Sequence, residues 1–77
     1  MPCEHVGPAE LIEMAEESLR TRGLTPTPGM QFRWTENVTG GTWASVVLEI
    51  ERRGEEWIVT RLDRSREVAA ETGLREL

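Results

Sequence analysis

Between Trp43 and Leu62 the side chains alternate in polarity with a period of two, which restricts the middle of this chain to β-structure. Ala44, Val46, Leu48 and Ile50 project to one side, and Trp43, Val47, Glu49 and Glu51 to the other. Arg53-Gly54 reverses the direction, so the stretch reads as a hairpin that is apolar on both faces. An antiparallel sheet needs only one buried face, because the other can stay in water. The second face nevertheless carries Trp43, Val47, Trp57 and Val59, with Arg33, Glu49 and Arg61 among them. Exposed apolar patches with aromatic anchors and arginine at the rim have the composition of interaction sites. Trp43, Val47, Trp57, Val59, Arg33 and Arg61 are therefore the expected contact surface.

Upstream the period changes from two to four. Pro8 to Arg22 reads as a helix: Pro8 suits the first turn, and Glu10 and Glu13 complement its positive end. Leu11, Ala15 and Leu19 form its apolar stripe, and Glu10, Glu13, Glu16, Glu17 and Arg20 its wet face. Gly23 ends it in the left-handed position. Thr25-Pro26-Thr27-Pro28-Gly29 is a stiff connector, since residues before proline avoid the helical region. Strands are expected over 30–38, 42–52 and 55–63, joined by three-residue turns that place Gly41 and Gly54 in the left-handed position. That geometry pairs Phe32 with Leu48, Trp34 with Val46, Leu48 with Ile58 and Val47 with Val59. Ser65 is a plausible N-cap, and Glu67-Val68-Ala69-Ala70-Glu71 favours a short helix over 66–72 despite Gly73.

The fold class expected is thus α+β in a single domain spanning 1–77, with residues 1–7 and the last few at its frayed ends. One N-terminal helix packs on a three-stranded antiparallel meander (α-β-β-β), and a short C-terminal helix follows. The expected core is Leu11, Ala15, Leu19, Phe32, Trp34, Val46, Leu48, Ile50, Ile58 and Leu62.

A core of 77 residues supplies only about 3–5 kcal/mol, and chains of this size commonly add a disulfide, a metal or a partner subunit. Cys3 is the only cysteine and His5 the only histidine, which excludes an internal disulfide and a closed zinc site. Pairing with a second copy is the remaining staple, so a homodimer or another protein partner is expected. No cofactor, metal or small-molecule ligand is called for. Nor is a membrane, since no apolar run approaches the ~20 residues of a span. A lone thiol with no signal-peptide core at the N-terminus fits the reducing cytoplasm.

Catalytic constellations are missing. Cys3 and His5 are a nucleophile and a base by type, but the chain around them has no means of holding both rigidly. The helix glutamates sit where solvated charges belong, and Thr39-Gly40-Gly41-Thr42 lacks the lysine and the following helix of a phosphate loop. All nine basic residues are arginines, and Arg52, Arg53, Arg61, Arg64 and Arg66 gather within fifteen positions. With Trp57 they form the alternative reading, a weak nucleic-acid surface in which arginine and indole stack on bases. The overall charge of −5 opposes it.

The order helix, three strands, helix resembles the double-stranded-RNA-binding domain in topology, and Ser65-Arg66-Glu67-Val68-Ala69 echoes the start of that family's last helix. The resemblance implies a final helix. It does not imply RNA binding, because Arg66 and Glu67 stand where the family has paired lysines, and the first turn lacks its histidine. A non-enzymatic interaction or regulatory module, self-associating through the outer sheet face, is the function expected.

Overall fold

The computed structural model describes residues 7–39 and 41–77. Cys3 and His5 lie outside the described residues. The element order is α1 (Pro8–Thr21), β1 (Gln31–Asn37), β2 (Ser45–Arg53), β3 (Glu56–Ser65) and β4 (Gly73–Glu76). The four strands form one antiparallel sheet in the order β3-β2-β1-β4, with the helix on one face. Three hairpin-linked strands with a fourth returning beside the first make a Greek key.

α1 forms where the four-residue period placed it. Pro8 opens the helix, Gly7 is its N-cap, and Leu11, Ala15 and Leu19 are its buried stripe. Its end is a Schellman motif: Gly23 takes φ +70°, its N–H reaches the Arg20 carbonyl at 3.0 Å, and the Leu24 N–H reaches that of Leu19 at 2.9 Å. The Thr25–Gly29 connector then carries the chain to the sheet, where Gly29 and Met30 bond across to Arg52.

Two expectations about the sheet are corrected. The first concerns the C-terminus, where a strand replaces the expected short helix and the three-stranded meander becomes a four-stranded sheet. Residues 66–72 are not helical; they cross one end of the sheet. They are tethered there by side chains of β1 and β2. Ser45, buried, donates to the Glu67 carbonyl at 2.7 Å, and Asn37 both donates to the Ala69 carbonyl (3.3 Å) and accepts from its N–H (2.8 Å). Gly73 at φ +111° then turns the chain into β4, which places Leu74 opposite Trp34. Local helix propensity is worth a few tenths of a kcal/mol per residue, and these tertiary bonds outweigh it. The final helix implied by the resemblance to the RNA-binding family is thereby absent.

The second correction is register. Phe32 pairs with Ile50 and Trp34 with Leu48, two positions from the expected partners, so the faces are kept. On the other side Leu48 meets Leu62 and Val47 meets Asp63, not Ile58 and Val59. The β2–β3 turn contains only Gly54 and Glu55, with Gly54 first at φ +61°, the positive φ that tight hairpin turns need. The pairing also shifts between Glu49 and Ile50, where Thr60 is the extra residue of a bulge. A bulge breaks the two-residue alternation. Beyond it Ile58 lies opposite Glu51 on the outer face, while Trp57 turns inward.

The core lies between α1 and the inner sheet face: Leu11, Ala15, Leu19, Phe32, Val38, Val46, Leu48, Ile50 and Leu74. Trp34, Trp57 and Leu62 are half-buried against it. Of the expected core, Ile58 is the one residue on the wrong face.

Candidate functional site

The bulge and the fourth strand redistribute the residues singled out by pattern. Trp57 lies edge-on to the buried ring of Phe32, with centroids 5.9 Å apart and planes at 72°, so it belongs to the helix side of the sheet. Val59 stands opposite Ile50 at the edge, still 38% exposed. Trp43, just ahead of β2, packs on the core and carries the Arg66 guanidinium over its ring at 5.7 Å. Val47, Arg33 and Arg61 remain on the outer face. The structure therefore does not bring the six together as one apolar patch. Trp57 and Val59 take the inner side of β3 and Arg61 its outer side, Val47 and Arg33 lie further in on the outer face, and Trp43 precedes β2.

The outer face is instead a charged lattice. One row crosses all four strands as Arg61, Glu49, Arg33 and Arg75, each directly opposite the next. Glu49 is largely buried beneath its neighbours and accepts from Arg33 Nε and Nη2, both at 2.8 Å, with Arg61 Nη1 at 3.5 Å. Arg61 also donates to Asp63. Along the sheet, Arg53 (3.0 Å) and then Gln31 (3.0 Å) donate to Glu51 and hold its carboxyl below its ordinary value. Of the remaining arginines in the 52–66 cluster, Arg52 stacks over Trp57 at 4.9 Å and Arg66 on Trp43, while Arg64 is exposed. The five do not converge on one surface, and four of them already engage partners in their own chain.

The edges differ sharply. β4, of four residues, covers one edge of β1, whereas β3, of ten, is itself an edge along its whole length. Such an edge presents unpaired backbone donors and acceptors.

Clefts flank β1 on both sides. On the inner side, α1 and β1 enclose an open groove of about 490 Å³ lined by Met14, Trp34 and the carboxylates Glu13, Glu17 and Glu36. Partial burial pushes the Glu36 carboxyl above its ordinary value. Its ionised form is thus disfavoured in the folded state, and the stability associated with its protonated form is lost as pH rises through the folded pKa. Glu36→Gln is accordingly expected to stabilise the protein at neutral pH and to have no such effect once Glu36 is protonated. Denaturant unfolding at both pH values checks this, and a glutamine variant weaker than the parent at neutral pH would contradict it. On the outer side, a polar cleft of about 340 Å³ is lined by Arg33, Thr35, Glu71, Thr72, Gly73, Leu74 and Arg75.

Among the described residues, no group of three or more His, Cys, Asp or Glu is placed to hold a metal, and no helix is long and apolar enough to cross a membrane. No known protein family, characterised protein or solved structure matches the chain.

Proposed function

We propose that this chain is a non-enzymatic interaction module that pairs with a second copy of itself along the free edge of β3. The observation that carries the reading is the segment Arg61-Leu62-Asp63 in the middle of that ten-residue edge. Antiparallel pairing about a twofold axis at Leu62 sets Leu62 against its own copy and each Arg61 against the other chain's Asp63. Opposite charges facing across strands are favourable, and like charges are not. Moving the axis by one residue either way would oppose arginine to arginine or aspartate to aspartate. The charges of this edge thus select one register of self-pairing.

Burial supports the same edge. Val59 is exposed, and Trp57 and Leu62 are only half-covered by the helix, so a second sheet continuing this one would shield them. The flat outer face is the weaker candidate. Apart from Arg75, its arginines and carboxylates already pair with one another, and a partner laid over them would have to desolvate those pairs. A small core that gains from oligomerisation is a further reason to expect a dimer.

Light scattering tests the proposal: the wild type should approach twice the 8.7 kDa of one chain as concentration rises. Asp63→Arg, which sets arginine against arginine, should return it to the single-chain mass, and adding Arg61→Asp to that variant should restore pairing. A wild type that stays at the single-chain mass throughout, or an Asp63→Arg variant that still pairs, would overturn the reading. Added nucleic acid should leave the mass unchanged at low salt, where phosphate binding is strongest.

A further inference from the structure

The charged row on the outer face alternates in sign until its last step. Arg61 is followed by Glu49 and Glu49 by Arg33, but Arg33 is followed by Arg75. Arg33 and Arg75 are direct cross-strand partners, an arrangement that brings Cβ atoms within about 4.5–5.5 Å and sets like charges against each other at a cost. Arg33 is answered by Glu49, whereas Arg75 makes no ion pair among the described residues. The polar cleft of about 340 Å³ opens at this step, with the hydroxyl-bearing Thr35 and Thr72 in its wall.

We infer that this cleft binds an oxyanion, a phosphate or carboxylate group, between the guanidinium groups of Arg33 and Arg75. A negative group there completes the alternation across the sheet and relieves the repulsion between the two arginines. Arg75 suits the task, because the planar fork of a guanidinium bonds phosphate and carboxylate oxygens in pairs. Arg33, whose Nε and Nη2 are given to Glu49, adds its charge and its remaining N–H groups. Threonine hydroxyls add uncharged donors. Glu71 also lines the cleft, and its carboxylate repels the same anion. It thereby limits the affinity and discriminates against ligands of high charge. The site lies at the β4 side of the sheet, away from the β3 edge, so it stands or falls independently of self-pairing.

The experiment titrates the full chain with inorganic phosphate and, separately, with acetate. Ionic strength is held constant with sodium chloride, and the amide and arginine Nε–H resonances are followed. Thermal unfolding is recorded in parallel, since a ligand of the native state raises the melting temperature by mass action. The expected result is saturable shifts centred on Arg33, Thr35, Gly73 and Arg75, with a midpoint of the order of millimolar, as one exposed bidentate contact permits. Arg75→Gln should weaken the midpoint about tenfold, the size expected from losing one charge-assisted contact. Glu71→Gln should strengthen it, and Arg53→Gln, which removes the same charge elsewhere on the sheet, should leave it unchanged. Comparison of the two arms identifies the source: tighter binding of phosphate points to phosphorylated ligands, and tighter binding of acetate to carboxylates. Shifts that never saturate, or an Arg53→Gln variant weakened as much as Arg75→Gln, would reduce the effect to general ionic attraction and overturn the inference.

Discussion

Leu48→Ala should cost about 2–5 kcal/mol, the range for truncating a buried leucine. Leu48 is fully buried at the centre of β2, with Trp34 opposite it on β1 and Leu62 on β3. Leu48 is 0% exposed, so the upper half of that range is expected. A core of this size supplies only about 3–5 kcal/mol in all, and the variant should be largely unfolded at room temperature. Urea denaturation of the parent and of the milder Ile50→Val, expected to lose about 0.5–1.5 kcal/mol, keeps the measurement within range. Ile50 is equally buried in the same strand. A Leu48→Ala loss under about 1 kcal/mol, the scale of surface substitutions, would mean that Leu48 is not at the centre of the core.

Leu48 was readable from the sequence because its strand is long and its alternation unbroken. The same holds for α1, whose stripe, opening proline and closing glycine each stated one end or one face. What the pattern could not convey was the geometry of the connections. Arg53-Gly54 marks a turn under either reading, but whether glycine comes first or last in the turn moves the pairing of every residue in β3. The bulge at Thr60 has no glycine or proline to announce it, yet it sends Trp57 inward and Ile58 outward. The apolar outer patch depended on unbroken parity across that position. This is why the structure splits it between the two faces of the sheet.

The charged row shows the converse limit. Arg33, Glu49 and Arg61 were visible as polar positions of strands, but their alignment is a property of register. A helical or frayed tail has no place in that row for Arg75. The one local sign against a helix was Gly73, whose φ of +111° is open to glycine and strained for other residues. Ser45 and Asn37 decide the matter. They are ordinary polar residues in the sequence, and their hydrogen bonds to the 66–72 segment are made only once the strands have assembled.

Ending the chain at Ser65 should abolish cooperative thermal unfolding. The deletion removes β4, strips Trp34 and Phe32 of their neighbour on one side, and leaves buried Ser45 without the Glu67 carbonyl it bonds. It also releases the Arg22 guanidinium, which donates to the Leu74 carbonyl at 2.9 Å and ties the end of α1 to β4. A buried polar group left unpaired costs about 1–3 kcal/mol, and losing a buried leucine about 2–5. Together these match what a core of this size holds. Two point variants separate the contribution of the strand from that of mere chain length. Leu74→Ala, at a position 7% exposed, should lower the melting temperature by 8 °C or more, since about 1 kcal/mol shifts a domain of this size by roughly 4–8 °C. Val68→Ala, at a position 71% exposed in the crossing segment, should stay within about 0.5 kcal/mol of the parent. A C-terminal helix packed through Val68 would reverse the ranking of the two. A truncated chain that still melts in one sharp transition would show that three strands and α1 suffice, and that β4 is an addition to the core and not part of it.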